Sequence, residues 1–218
     1  MRILCLHGMG TNSEIFAAQT AALRNAMGKP HENTFEFVEA GLSCAPSAGI
    51  AELAREDAEY FSWYAKDTAA RPVTEAIDAL SDYVASEGPF DGVMGFSQGC
   101  ALASMLLLRR NFPAPFSFAI FICAVCPLAE SSLDIGILRY CDAAVDGEAL
   151  IQIPTAHIIG AKDDYLADST SLVALCCPKL RMVFDHRGGH EVPSKPKEMV
   201  EGMARTIQKV IAKVASIS

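Results

Sequence analysis

Basic residues are scarce in this sequence of 218 residues, where 18 lysines and arginines stand against 26 aspartates and glutamates, for a net charge of −8. A nucleic-acid-binding surface needs a concentration of positive charge, so this balance argues against a nucleic-acid partner. No apolar run approaches the roughly 18 residues that a membrane-spanning helix needs. The apolar stretch after residue 1 is too short for a secretory signal peptide, so we expect a cytoplasmic protein with no membrane partner.

The eight cysteines lack the spacing of a metal site or of a disulfide framework. Cys123 and Cys126 have a CxxC spacing, but no second pair lies at the distance found in zinc ribbons. Most of the eight lie inside apolar runs, which is typical of buried free thiols in a reducing compartment. We therefore expect no metal and no other cofactor.

Short apolar runs alternate with longer segments of helical periodicity. The predicted strands are 2–7, 34–39, 92–96, 116–123, 155–160 and 180–185, and the predicted helices are 14–27, 73–87, 98–111, 167–176 and 195–214. Continuously apolar runs such as SFAIFICA are typical of strands buried on both faces of a parallel sheet. We expect a single α/β domain over residues 1–218, with a mostly parallel sheet of about six strands flanked by helices. Residues 41–71 and 124–153 interrupt this alternation and are predicted to be lid-like insertions.

The first predicted strand runs into a loop with two glycines, His7-Gly8-Met9-Gly10, before a predicted helix. One interpretation is a dinucleotide-binding loop, with Glu39 at the end of the second strand as the ribose-binding acid. Ser13 stands where that motif has its third glycine. The other interpretation is an oxyanion loop, in which a backbone N–H stabilises a negatively charged oxygen. This stretch alone does not discriminate between them.

A second junction of strand and helix, Gly95-Phe96-Ser97-Gln98-Gly99, matches the nucleophile elbow of α/β-hydrolases. The serine of an elbow has a strained backbone that exposes its hydroxyl. The flanking glycines are needed because strand and helix pass too close for a Cβ atom. Ser97 is therefore the predicted nucleophile. The backbone N–H groups of Met9 and Gln98 are predicted to form the oxyanion hole.

A serine hydroxyl is a weak nucleophile at neutral pH, so Ser97 needs a general base and a carboxylate that orients the base. Asp163 and His190 each follow a predicted strand, in the order Ser, Asp, His that this fold uses. Asp163 is the predicted carboxylate and His190 the predicted base, while the adjacent Asp164 remains an alternative to Asp163. The remaining histidines are expected in the opening loop, an early polar loop, the core and a strand end: His7, His31, His157 and His186, respectively.

Four motifs together, LHGMGTN, GFSQG, GAKDD and GGHEVP, resemble the "family of serine hydrolases" (FSH, also the ovarian-cancer-associated type) of small α/β-hydrolases. The resemblance spans nearly the whole chain. It implies a compact α/β-hydrolase fold without the first two strands of larger members, and the roles predicted above for Ser97, Asp163 and His190. Fungal members are often carboxylesterases or stand-alone thioesterases encoded beside polyketide synthases, where they release the chain from an acyl carrier protein.

This resemblance implies an enzyme that cleaves an acyl ester or thioester through an acyl-enzyme. We expect a thioesterase that releases a polyketide or fatty acyl chain from an acyl carrier protein, by hydrolysis or lactonisation. A small-ester carboxylesterase is the alternative, and a non-catalytic ligand-binding protein and an NAD-binding oxidoreductase represent other classes. Apolar side chains in the first irregular segment and near the predicted mouth favour an apolar acyl group. The predicted pocket residues are Phe61, Trp63, Tyr64, Met105 and Leu128.

Overall fold

Strands and helices alternate in the computed structural model, which describes residues 1–28, 33–48, 50, 57–65, 69–110, 115–214 and 216. The strands are β1 (Arg2–Leu6), β2 (Thr34–Val38), β3 (Leu42–Ser43), β4 (Phe61–Ser62), β5 (Gly92–Phe96), β6 (Phe118–Ile122), β7 (Thr155–Ile159) and β8 (Arg181–Asp185). The helices are α1 (Ser13–Gln19), α2 (Ala21–Ala26), α3 (Ala70–Glu87), α4 (Gln98–Leu107), α5 (Glu130–Leu133), α6 (Ala143–Asp146), α7 (Leu166–Leu175) and α8 (Lys197–Val214).

Within these residues the main sheet is parallel throughout, with the strand order β2-β1-β5-β6-β7-β8. Every residue of β5 and β6 is buried, as expected of continuously apolar strands in the middle of a parallel sheet. The six predicted strands are confirmed, with ends that move by one or two residues. The strand order reverses between β1 and β5, and ligands of such sheets bind at the carboxyl ends of the strands beside this point.

Two apolar layers cover the two faces of the sheet. Alternate residues of β1 point to opposite faces, so that Leu4 and Leu6 join one layer and Ile3 and Cys5 the other. Helices α3, α4 and α7 contribute to the first layer, and α1, α2 and α8 to the second. Because the strands are parallel, the loops after β1, β5, β7 and β8 lie at the same edge of the sheet.

Two predicted helices and the two predicted insertions differ in detail from the structure. The helix predicted over 14–27 is divided at Thr20, whose hydroxyl donates to the Phe16 carbonyl at 2.8 Å. A β-branched hydroxyl residue favours such local bonds over a regular helix. The helix predicted over 98–111 ends at Leu107, and residue 111 lies outside the described residues. The two predicted insertions contain the short elements β3, β4, α5 and α6, and α3 begins at Ala70, inside the first of them. None of the described helices is long and apolar enough to cross a membrane.

His157 lies in β7 as the predicted core histidine, with its Nε2 atom 3.0 Å from the Thr155 hydroxyl. Its burial lowers the pKa of the imidazole to about 3. In the unfolded chain this imidazole binds a proton below a pH of about 6.5, whereas in the folded protein it stays neutral down to about pH 3. Acid therefore favours the unfolded state. We expect this group to lower the free energy of unfolding by up to about 1.4 kcal/mol per pH unit between pH 6.5 and 3.

Urea unfolding of the wild type and of His157→Gln at pH 7, 6 and 5 measures this contribution. The variant has no titrating group at this position, so its stability should decline less steeply with acid. Equal slopes in the two proteins would contradict the prediction, whatever the stability of either at pH 7.

Candidate active site

Ser97 lies at the junction of β5 and α4 in the conformation expected of a nucleophile elbow. Its φ of 52° and ψ of −117° are strained for a residue with a side chain. A Cβ atom at Gly95 would lie 2.7 Å from the Cys100 nitrogen, and one at Gly99 would lie 2.2 Å from the Leu6 carbonyl oxygen. Both positions thus require glycine, for the reason that the sequence motif suggests.

The loop after β1 passes close to Ser97 and is held by Ser47. The Ser47 hydroxyl donates to the Met9 carbonyl at 2.6 Å, and the Ser47 N–H donates to the Gly10 carbonyl at 2.9 Å. The N–H groups of Met9 and Gln98 themselves donate to none of the described residues. Met9, Ser97 and Gln98 line the same cavity. Two unpaired amide donors beside a serine hydroxyl have the chemistry of an oxyanion hole.

Asp163 and His190 form a hydrogen-bonded pair at the ends of β7 and β8. Each carboxylate oxygen of Asp163 lies 3.0 Å from His190 Nδ1, and the N–H of Tyr165 donates to Oδ1 at 2.8 Å. The Asp163 side chain is fully buried, whereas that of His190 is 28% exposed. A carboxylate on Nδ1 keeps the proton there and leaves Nε2 as the acceptor, which is the form that a general base needs.

Two aromatic rings pack against the imidazole of His190, the predicted base. The centroid of the His190 ring lies 4.9 Å from that of Phe96, the residue before Ser97 in the chain. It lies 5.0 Å from the centroid of the Tyr165 ring. The Ser97 hydroxyl makes no hydrogen bond to a described residue. Such a bond is commonly long or misaligned before substrate binds.

Asp163 and its alternative, Asp164, have different surroundings. Asp164 is exposed and makes no hydrogen bond or ion pair within the described part of the chain. Asp163 is the carboxylate in contact with His190.

His31, expected in an early polar loop, lies outside the described residues.

His7 supports the opening loop from inside the protein. The ring is fully buried, and its burial lowers the pKa of the imidazole. Nδ1 donates to the Gly8 carbonyl at 2.7 Å, and Nε2 lies 2.8 Å from a Glu39 carboxylate oxygen and 3.1 Å from the Ala40 nitrogen. The indole N–H of Trp63 donates to the His7 carbonyl at 2.8 Å. These bonds position the loop that carries the Met9 amide.

Glu39, the acid of the dinucleotide interpretation, is engaged by the protein itself. Its carboxylate accepts hydrogen bonds from the Ser13 N–H at 3.1 Å and from the Ser13 hydroxyl at 2.9 Å. This contact joins the start of α1 to the end of β2. The carboxylate therefore has a structural partner in the place where a ribose would have to bind.

The side chain of Gln98 has a role that the sequence motif does not reveal. Its oxygen accepts from the Trp63 N–H at 3.0 Å, and its nitrogen donates to the Tyr64 carbonyl at 2.8 Å. These two hydrogen bonds attach the segment after β4 to the first residue of α4. The available signal was a polar residue at the start of an otherwise apolar helix, QGCALASMLL.

A largely apolar cavity of about 270 Å³ contains Ser97 in its wall. Val73, Val125 and Leu128 supply aliphatic surface, and burial raises the pKa of Tyr64, which also lines it. The more exposed side chains of the lining belong to the segment before α6 and to the start of α7: Leu138, Tyr140 and Tyr165. This cavity suits an apolar group next to the reacting carbon.

Two of the five predicted pocket residues, Tyr64 and Leu128, line this cavity. The other three, Phe61, Trp63 and Met105, are not among its described lining residues and stay predictions. Phe61 pairs through its backbone with Gly10 and Thr11 in β4. The Trp63 ring packs on His7 at 5.2 Å, and Met105 is 3% exposed in the core. The direction of each of these side chains depends on the part of the protein against which it packs, and not on its position in the sequence alone.

Cys123, Asp163 and His190 form a cluster whose potential ligand atoms lie within 4.8 Å of one another. A thiolate is the form of cysteine that binds a metal. Burial, followed by the charge of Asp163, raises the pKa of Cys123 and favours the thiol. Asp163 and His190 of this cluster are the predicted carboxylate and base, and Cys123 lies beside them as a thiol. All eight cysteines are free, including Cys126 of the CxxC pair.

Comparison with known proteins agrees with this geometry. A family model described as serine hydrolase (FSH1) matches residues 1–201. The chain is 44% identical over 215 residues to Esterase FPY3 of Fusarium mangiferae, covering 98% of both chains. It is 30% identical over 217 residues to Thioesterase FSL2 of Gibberella zeae, covering 90% of this chain and 87% of the relative.

Solved structures show the same fold at low sequence identity. SOBER1 of Arabidopsis thaliana matches with a TM-score of 0.61 at 17% identity, covering 99% of each chain. A carboxylesterase of Mesorhizobium loti matches with a TM-score of 0.60 at 19% identity, covering 97% of this chain and 88% of that one. The predicted α/β-hydrolase fold is thus confirmed. The chain is a hydrolytic enzyme and belongs to the FSH1 family of serine hydrolases.

Proposed function

We propose that this serine hydrolase is a thioesterase that releases a polyketide or fatty acyl chain from an acyl carrier protein. The observation that carries the proposal is the apolar cavity with Ser97 and two unpaired amides in its wall. The cavity, of about 270 Å³ and lined largely by apolar side chains, suits an apolar acyl group. The relative named as a thioesterase supports a thioester substrate.

Acylation uses the three predicted catalytic residues together. Ser97 Oγ forms a bond to the acyl carbonyl carbon while its proton passes to His190 Nε2. Asp163 keeps the other imidazole proton on Nδ1 and stabilises the imidazolium. The carbonyl oxygen becomes an oxyanion, to which the Met9 and Gln98 amides donate. When the carbonyl re-forms, the carbon–sulfur bond breaks and His190 gives its proton to the departing thiolate.

Deacylation repeats the same proton transfers with a different nucleophile. A water molecule, or a hydroxyl of the acyl chain, loses its proton to His190 and attacks the ester carbon. The second tetrahedral intermediate collapses, and Ser97 leaves with the proton from His190. Water yields a free acid, and an internal hydroxyl yields a lactone.

A carboxylesterase acting on small esters is the second candidate. It is supported by the relative named as an esterase, at 44% identity over almost the full chain. The same residues would perform the same steps, with an alcohol instead of a thiol as the leaving group. The two candidates differ in leaving group and carrier, so they are separated by substrate comparison.

The test presents each acyl group of a series from acetyl to dodecanoyl in three forms: on an acyl carrier protein, on N-acetylcysteamine and as an ethyl ester. We expect kcat/KM for the carrier-protein thioester to exceed that for either small substrate by about tenfold or more, because only that substrate supplies binding energy from the carrier. Intact-mass spectrometry should show an acyl adduct on the wild type and none on Ser97→Ala. Preference for the ethyl ester would establish the carboxylesterase instead. Turnover of none of the three acyl series, from acetyl to dodecanoyl, would refute both.

A further inference from the structure

Cys123 lies behind the pair of Asp163 and His190 and has no part in the proposed chemistry. It directly follows β6, is fully buried and has a φ of 46°, which is unusual for a residue with a side chain. Its N–H donates to the Ile158 carbonyl of β7 at 2.9 Å. The preceding carbonyl, of Ile122, accepts from the Ser97 N–H at 3.1 Å. Cys123 is thus fixed between the strand that carries the nucleophile and the strand that precedes the carboxylate.

A buried histidine, His186, contacts this thiol. The Gly188 N–H donates to His186 Nδ1 at 3.2 Å, so the proton of the neutral ring is on Nε2. Burial lowers the pKa of His186 and favours this neutral form. His186 Nε2 lies 3.4 Å from Cys123 Sγ, which makes the sulfur the acceptor of its N–H.

The thiol continues the series of hydrogen bonds to the other side of His190. Cys123 Sγ lies 3.4 Å from the Glu191 carbonyl and 3.8 Å from the Gly189 carbonyl, both positioned to accept its S–H. Because burial raises the pKa of Cys123, the thiol keeps the proton that it donates. The bonds therefore run from Gly188 through His186 and Cys123 to Glu191.

These bonds tie down a loop that has little local rigidity of its own. Residues 186–191 include two consecutive glycines, Gly188 and Gly189, and Arg187 with a φ of 61°. Glycines allow many backbone conformations, so the observed conformation of the loop depends on tertiary contacts. The thiol contacts the carbonyls on both sides of His190 and lies within 4.8 Å of both its ring and Asp163.

We propose that Cys123 and His186 are a positioning pair, which holds residues 186–191 so that His190 stays on Asp163 and within reach of Ser97. Neither residue lines the cavity that contains Ser97. The inference rests on the proposed function in one respect, namely that His190 is the base. Loss of the pair would lower the fraction of enzyme in the productive geometry, and so would lower kcat with little change in KM.

The test is Cys123→Ala, with Cys5→Ala as the matched control. Cys5 is also fully buried, lies in the same apolar layer and loses the same atom. We expect Cys123→Ala to lower kcat by about 10- to 100-fold with KM within about twofold, as for other residues that orient a reacting ligand. Labelling by a fluorophosphonate should slow by the same factor. Cys5→Ala should leave both rates unchanged, and Cys123→Ser, which restores a donor, should recover part of the loss.

Two further variants keep the proposal testable if Cys123→Ala does not fold. His186→Gln should lower kcat in the same way. The double variant of His186→Gln and Cys123→Ser should have a kcat only slightly below that of the less active single variant, because the two residues act as a unit. The proposal would be overturned by additive losses of kcat in the double variant. It would also be overturned if Cys123→Ala raised KM alone or had the same kcat as Cys5→Ala. Full activity in Ser97→Ala would instead refute the proposed function, so the two failures are distinguishable.

Discussion

Replacing Ser97 with alanine is expected to lower kcat by about 10³-fold or more, with the fold unchanged. The hydroxyl is the atom that forms the acyl-enzyme bond, and no neighbouring group offers a substitute nucleophile in the proposed mechanism. The fold should tolerate the change because this hydroxyl neither caps α4 nor bonds to any described residue. Steady-state turnover of the best thioester measures the loss, and fluorophosphonate labelling should disappear with it.

Ser104→Ala is the matched control for this experiment. Ser104 lies in α4, the helix that Ser97 precedes, is fully buried, and donates from its hydroxyl to the Cys100 carbonyl at 2.7 Å. Removing it deletes the same atom from α4 at a position away from the cavity lining, so kcat should stay within about twofold. Retention of more than a tenth of wild-type activity in Ser97→Ala would rule out the predicted nucleophile.

The second large effect is expected for Asp163→Asn, which should lower kcat by about 10²- to 10⁴-fold. Both oxygens of Asp163 face His190 Nδ1 at 3.0 Å. An asparagine amide could donate to Nδ1, which would place the imidazole proton on Nε2. His190 could then not accept the proton of Ser97. The size of the loss reports how strongly the carboxylate controls the proton position.

Asp164→Asn provides the control, with the same chemical change one residue away. Asp164 is exposed and has no polar contact within the described residues, so kcat should remain close to the wild-type value. The reverse ranking of the two variants would assign the orienting role to Asp164. Equal and small losses in both would show that His190 does not depend on a carboxylate.

Much of the fold follows from local patterns. The apolar runs of β5 and β6 predict strands buried on both faces, and the structure buries every residue of both. The motif at Ser97 predicts a strained turn with obligatory glycines, and the backbone has that conformation. Both patterns can be recognised from residues within a few positions in the chain, although the clash that requires glycine at position 99 is with the distant Leu6 carbonyl.

The lining of the cavity at Ser97 could not be predicted in the same way. Trp63 and Tyr64 are adjacent, yet Tyr64 lines the cavity while the Trp63 ring packs on His7. Which side of an irregular segment faces a cavity depends on what packs against its other side. That information lies in residues far away in the chain, such as Gln98, whose side chain binds the backbone of this segment.

Residue types and their order were sufficient to identify a serine hydrolase and to predict Ser97, Asp163 and His190 as its catalytic set. The pairing of Asp163 rather than Asp164 with His190 required three dimensions, because the two carboxylates are chemically identical and differ only in direction and burial. The contacts of Cys123 with the loop of His190 join residues more than 60 positions apart. No local pattern encodes such a contact, since it arises only when parallel strands bring their carboxyl ends to the same edge of the sheet.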